Sequence, residues 1–141
     1  MKNNFRSSCP IACTLDIVGD KWSLLILRDM LLHHKMTFKE FSNSDEKIAP
    51  SILSSRLKLL MSYELVTKQK LINNKKENIY ILTEKAIELS SILIDISIWG
   101  DKHVRKFDDI KYIEGLDLDR SFILSTVTNS YNSMIQEINT V

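Results

Sequence analysis

Between Trp22 and Leu32, seven of eleven residues are large aliphatics: Leu24, Leu25, Ile26, Leu27, Met30, Leu31 and Leu32. On a helical wheel they leave almost no polar side. Such a helix has to be the enclosed centre of a domain, wrapped by other elements. It is much shorter than the roughly 20 residues needed to span a bilayer, and the uncharged run Leu89 to Ile94 is shorter still. The whole chain of 141 residues, 44% hydrophobic and 26% charged, suffices for one domain with a real core. Three glycines and two prolines are too few for a collagen-like or turn-dense all-β chain. Met1 to Pro10 has no apolar stretch of the secretory kind. Two cysteines, Cys9 and Cys13, make no disulfide framework, so a reducing cytoplasmic location is expected.

The flanking segments supply the wrapping. Pro10 suits the first position of a helix, with Cys9 before it and Ile11, Leu15 and Val18 on one stripe that ends at Gly19. Thr37 with Glu40 three residues on forms a capping box, opening a short helix whose Phe38 and Phe41 are expected to turn inward. Ser42 to Lys47 reads as a turn. Pro50 then begins a helix reaching about Tyr63, with Leu53, Leu57, Leu60 and Met61 on its core face. Two β-prone runs follow, Val66 to Ile72 and Asn78 to Leu82, joined by the polar tip Asn73 to Glu77.

Charge is distributed unevenly over these elements. Lys35 to Lys76 holds nine Lys or Arg against four Asp or Glu, a balance of +5 in a chain whose total is +1; the remainder is −4. A polyanionic partner and a merely solvated face are both compatible with that imbalance. The helix from Pro50 is more informative. Ser51, Ser55, Lys58 and Ser62 share its polar arc, Ser54 lies at the margin, and no acidic residue occurs between Ala49 and Ser62. Short hydroxyl side chains permit close approach to a DNA groove, or to another protein surface. Lys68 and Lys70 give the hairpin a basic edge. A short helix, a turn, a second helix and a basic hairpin, in that order, describe a winged helix-turn-helix: mainly α with a small β-hairpin wing.

The next helix, about Glu84 to His103, has two apolar stripes. Leu89, Ile92, Leu93, Ile96 and Trp99 form one; Ile87, Ile94 and Ile98 form another, roughly 160° away. A small monomer needs one such stripe on a surface helix. The second requires a cover, either a symmetry mate or the chain's own C-terminal segment. After an acidic linker, Asp108 to Asp117, Asp119 can cap a last helix with Val127, Tyr131, Met134, Ile135 and Ile138 on one face.

Taken in order, Cys9-Pro10, Gly19-Asp20-Lys21-Trp22, Leu24 to Arg28, Phe38-Lys39-Glu40-Phe41, Pro50 with Leu53-Ser54-Ser55-Arg56-Leu57, Leu65-Val66, Tyr80 to Glu84, and Trp99-Gly100 with His103 resemble the HxlR-type winged-helix transcriptional regulators, a group similar to the MarR regulators. The resemblance covers about residues 9 to 103. It implies a homodimeric, cytoplasmic, DNA-binding regulator in which the first and last helices pair, the Pro50–Tyr63 helix enters the major groove, and the hairpin tip touches backbone or minor groove. Three departures stand out: Glu64 where the family often has glycine, Lys75 to Asn78 where it tends to place wing prolines, and Ala49 where a hydroxyl cap is common. Residues 1–103 are then expected to form the DNA-binding domain with its dimerisation helices, and 104–141 an extension without a family counterpart.

The expected function is regulation of transcription, with repression as the output, by a homodimer on a near-palindromic operator. Ser51, Ser54, Ser55, Arg56 and Lys58 are candidates for base contacts, and Arg56 suits a phosphate or an intramolecular partner equally. Lys39, Lys68, Lys70, Asn74, Lys75 and Lys76 are candidates for backbone contacts. Ile11, Leu15, Ile94, Ile98 and Trp99 are the expected dimer contacts, and Trp22 is expected to pack in the core. Cys9, at a helix N-terminus with Arg6 close in sequence, is the candidate sensor of an oxidant or electrophile, as in some relatives; it also reads as a tolerated thiol. Cys13 reads as a small core residue, and His33 and His34 as helix-end cations. No cofactor or metal site is implied, and no nucleophile, base and orienter set points to an enzyme. A protein-binding winged helix and a thiol-dependent enzyme are the rival classes, and a small-molecule effector fits the regulator reading.

Overall fold

The structure, a computed structural model, describes residues 5–71, 73–74, 76–104 and 120–139. Helix α1 spans Pro10–Val18, with Pro10 opening it and Gly19 closing it. A Cβ on Gly19 would run into the Leu15 carbonyl, so the chain can turn this tightly only with glycine there. Helix α2, Ser23–Leu31, lies at the centre as its composition requires, and Ile26, Leu27, Met30 and Leu31 are all buried. Asp20 organises its start by accepting the Trp22 and Ser23 amide N–H groups, each at 3.0 Å, and the Ser23 hydroxyl at 2.6 Å.

Helix α3, Phe38–Ser42, carries the expected capping box in full. The Thr37 hydroxyl accepts the Glu40 N–H at 3.1 Å, and the Glu40 carboxylate accepts the Thr37 N–H at 3.1 Å. Phe41 is buried, but Phe38 is exposed, contrary to expectation: as the first helical residue it lies on the outer side of this single turn. Helix α4 spans Pro50–Ser62 and buries Leu53, Leu57 and Leu60, while Met61 packs at the edge of the core. It ends in a Schellman motif: Leu65 N–H bonds to Leu60 O at 2.9 Å, Glu64 N–H to Met61 O at 3.0 Å, and Glu64 takes φ 60°. The residue replacing the family's glycine is therefore forced into the left-handed conformation after all.

Strands β1, Val66–Lys70, and β2, Asn78–Leu82, form an antiparallel pair in the register Val66↔Leu82 to Lys70↔Asn78. The first strand stops short of the expected Ile72, which lies outside the described residues. Along the outer edge of β2, Tyr80 N–H bonds to Met36 O at 2.8 Å and Leu82 N–H to the Tyr131 hydroxyl at 2.9 Å. Two unrelated acceptors thus do the work of a third strand.

The expected helix over 84–103 divides into α5, Glu84–Ile87, and α6, Ser90–His103. Bonds from Leu89 N–H to Ala86 O, 2.9 Å, and Ile92 N–H to Leu89 O, 3.0 Å, tighten the backbone at the joint. Helix α7, Arg120–Asn139, packs on α6 and α2 and adds Ile123, Val127 and Tyr131 to the core. The acidic linker and the Asp119 cap lie outside the described residues. Among the described residues, no helix is long and apolar enough to cross a membrane.

With α7 in place, the chain's own C-terminal segment is the cover packed on α6, the second of the two expected. Ile94 is 0% exposed, in the core that also holds Ile123, Val127 and Tyr131, and Ile98 packs against that core. Assigning Ile94 to a dimer contact is therefore corrected: its own protomer already covers it. The outward apolar residues come from the other stripe, namely Ile92, Ile96 and Trp99.

Candidate nucleic-acid interface

The turn between α3 and α4 is fixed from beneath by Arg28. Its guanidinium reaches Glu46 with two hydrogen bonds, 2.9 and 2.8 Å, and Asp29 with two more, 3.1 and 2.7 Å. Asp29 is only 3% exposed and also meets His33 Nδ1 at 3.2 Å and Lys35 Nζ at 3.5 Å. Hydrogen bonds from Arg28 hold the Glu46 carboxyl below its ordinary value against the opposing effect of burial. Sequence reasoning missed this network. Its signal was the Arg28-Asp29 pair inside an otherwise apolar helix, because charges placed there need partners. Beyond the turn, Lys47 takes φ 56° and buried Ile48 leads into α4.

Ala49 caps α4 with no side-chain bond, and Pro50 at the first position has no N–H to satisfy. Ser51, Ser55 and Lys58 are exposed together on the side opposite Leu53, Leu57 and Leu60, while Ser54 is half-buried. Arg56 is half-buried as well. Its guanidinium lies 3.7 Å from Asp20 Oδ1 and 3.4 Å from the Ser55 hydroxyl. Burial resists ionisation of Asp20, but the Ser23 hydroxyl, the Trp22 and Ser23 amides and the Arg56 charge outweigh it and keep its carboxyl below the usual range. Arg56 thus has an intramolecular partner, linking α4 to the start of α2.

Around α4 the cations stand clear of the core. Lys39 on α3, Lys68 and Lys70 on β1, and Lys76 and Asn74 at the hairpin tip are all exposed. The Asn74 side chain accepts the Lys76 N–H at 3.2 Å, which shapes the tip. Lys75 lies outside the described residues. Only Val66 of β1 is buried, so the strand leads its lysines away from the protein body.

Cys9 is exposed at the N-terminal boundary of α1, and its N–H is held by the Ser7 hydroxyl at 3.1 Å. Cys13 is half-buried, donating its thiol to the Ser7 carbonyl at 3.1 Å. Arg6, close to Cys9 in sequence, instead pairs with Asp16 at 2.6 Å. Ile11 is 71% exposed, Leu15 54% and Trp99 61%, with the Trp99 and His103 rings 5.3 Å apart. Trp22 packs partly against the core beneath Lys21, whose Nζ lies 4.9 Å from the ring centroid.

Known proteins resemble this chain in sequence and fold. The transcriptional regulator YodB of Bacillus subtilis is 29% identical over 106 residues, 74% of this chain and 94% of that protein. Its reduced form superposes with a TM-score of 0.57 at 28% identity, covering 72% of this chain and all of YodB. The crystal structure of PA1607, a transcription-factor candidate, gives a TM-score of 0.66 at 33% identity, covering 74% of this chain and 71% of its own. The oxidised redox regulator HypR gives 0.59 at 26% identity, covering 67% and 97%. The profile of the HxlR-like helix-turn-helix family matches residues 17–108, from the end of α1 through α6. The fold is a winged helix, and the chain belongs to the HxlR-like helix-turn-helix family of transcriptional regulators.

Proposed function

We propose that this protein binds duplex DNA as a homodimer and represses transcription from a near-palindromic operator. The observation that carries the reading is the outer face of α4, where Ser51, Ser55 and Lys58 are exposed with no carboxylate among them. Lys39, Lys68, Lys70, Lys75 and Lys76 neutralise phosphates and set the register of the protein on the duplex, with Asn74 beside them at the tip. Ser51, Ser54, Ser55 and Lys58 face base edges, and Arg56 steadies α4 through Asp20. The protein acts by binding and not by catalysis. Residues 1–103 carry the DNA and partner contacts, and 104–141 complete the core through α7.

The outward apolar face supports the dimer reading. Ile11 and Leu15 on α1 and Ile92, Ile96 and Trp99 on α6 have no cover within the described protomer. In such a pair the two copies of α4 would address half-sites about 34 Å apart, one turn of B-DNA.

Cys9 is the proposed input. YodB has been solved in reduced, diamide-treated and quinone-bound forms and HypR, a redox regulator, in reduced and oxidised forms, which supports an oxidant or electrophile as the input here. Here Cys9 is exposed and lies one helical turn before Cys13, a spacing that strains a bond between the two. An oxidant that takes two electrons and two protons would join Cys9 to Cys9 of a second copy; an electrophile would add to the thiolate. Either change acts on α1, part of the proposed pairing face.

A gel shift on the protein's own upstream region tests the reading, run at two salt concentrations with and without a mild oxidant. The expected result is binding that weakens steeply with salt, with a slope of about 0.9 per phosphate contact. Affinity that is absent, or equal at both salts, would overturn DNA binding; indifference to oxidant would remove only the role of Cys9.

A further inference from the structure

The outer face of α4 carries one residue that its hydroxyls and cations do not explain. Ile52, in the first helical turn, is 37% exposed, although the same helix buries Leu53, Leu57 and Leu60 almost completely. It is not a stray edge of the core. On the wheel it lies about 60° from Ser55 and about 40° from Arg56, well away from the buried arc centred between Leu53 and Leu57. In helix-turn-helix proteins the N-terminal turn of this helix approaches the bases most closely. An isoleucine presented there stays in water in the free protein and gains only if the partner offers an apolar group.

The major groove offers one such group. Thymine displays its C5-methyl beside the O4 acceptor, whereas the other three bases show only donors and acceptors. The first turns of α4 present the complementary set: an aliphatic side chain at Ile52, with hydroxyl donors before it at Ser51 and after it at Ser55, both exposed. The one side chain on this flank suited to reading guanine is Arg56, and it is held 3.7 Å from Asp20. The local chemistry therefore favours a thymine over a guanine opposite this turn.

We propose that Ile52 is a specificity-determining residue that packs on a thymine methyl in each operator half-site, with Ser51 or Ser55 donating to the neighbouring O4. The proposal rests on the DNA-binding reading given above and sharpens it to a base. Ile52→Ala should relax specificity at one symmetric pair of positions, whereas loss of a phosphate-binding lysine would weaken binding to all sequences alike.

The test uses the full-length protein to select duplexes from a randomised library at low salt. A selected duplex is then remade with deoxyuridine in place of each thymine in turn, which deletes the methyl group and nothing else. For the unaltered protein, one symmetric thymine pair should be sensitive, with about fourfold weaker binding per half-site. Ile52→Ala should bind the thymine duplex more weakly by a similar factor and no longer distinguish it from the deoxyuridine duplex. Ile52→Val, which keeps the branched end, should retain part of the discrimination and guards against a folding defect in the alanine variant. A protein that selects no duplex would overturn the DNA-binding reading, and this proposal with it. Selected duplexes whose thymines can all be replaced without loss, or an alanine variant that keeps the full discrimination, would overturn the role of Ile52 alone.

Discussion

The Tyr131 hydroxyl, on the last helix, accepts the backbone N–H of Leu82, the last residue of the wing, at 2.9 Å across 49 positions of sequence. Tyr131 is almost wholly buried, and burial pushes its own hydroxyl up from the ordinary value against the Leu82 N–H that favours its charged form. The bond fastens an element outside the family match to the base of the hairpin. Tyr131→Phe would leave a buried amide with no partner, which costs roughly 1–3 kcal/mol. Chemical denaturation should show that loss. Hydrogen exchange at Leu82 should quicken by more than the global loss accounts for; equal protection in both proteins would mean that α7 does not hold the wing.

Glu64 offers a change in the opposite direction. It sits at the left-handed position of the motif that ends α4, with φ 60°, and its own carbonyl accepts the Thr83 hydroxyl at 2.7 Å. A Cβ in that conformation costs about 1 kcal/mol. Glu64→Gly keeps every backbone bond of the motif and should raise stability by about that amount, seen as a higher Tm with an unchanged denaturant slope. A lower Tm would show that the glutamate side chain contributes something the backbone geometry does not reveal.

Much of this architecture was legible because local rules act at short range. The capping box at Thr37 and Glu40, the proline starts at Pro10 and Pro50, and the two strands are each set by a few neighbouring residues, and the structure places them where the sequence does, except that β1 ends at Lys70. The split of α6 into inner and outer faces was not legible. Both stripes are apolar, and which is covered depends on α7, at least 16 residues further along, whose docking no local pattern encodes. At the candidate interface, the exposed hydroxyl face of α4 followed from the wheel, but Arg56 meeting Asp20 and Arg28 meeting Glu46 join residues 36 and 18 positions apart. Ile52 is not legible from the sequence, because an aliphatic residue beside Leu53 reads as core until its exposure is known.

The Arg28–Glu46 link should give the fold a measurable acid dependence. The Glu46 carboxyl is held below its ordinary value of 4.5 by hydrogen bonds from Arg28, against burial. Its contribution is therefore complete above about pH 4.5 and disappears as the pH falls through the lower value of the folded state. Glu46→Gln should be less stable than the parent at pH 7 by about 1 kcal/mol or less, since the carboxylate is partly solvated. That difference should shrink toward zero in acid. A constant offset at all pH values would mean that packing, and not charge, makes Glu46 useful.

The two faces of α6 allow assembly to be separated from folding. Ile96 is exposed and Ile94 is fully buried, only two residues apart. If α1 and α6 form the pairing face, Ile96→Glu places two like charges within an apolar contact while leaving the protomer core untouched. Its sedimentation mass should fall to that of a monomer with the helical spectrum retained, and duplex affinity should drop because one protomer then addresses one half-site. Ile94→Ala should do the reverse: a loss of about 2–5 kcal/mol in stability from the cavity it leaves, with the folded fraction still paired. An Ile96→Glu protein that remains dimeric would move the pairing face elsewhere, and the exposed Ile92 and Trp99 on the same side of α6 would then need a different cover.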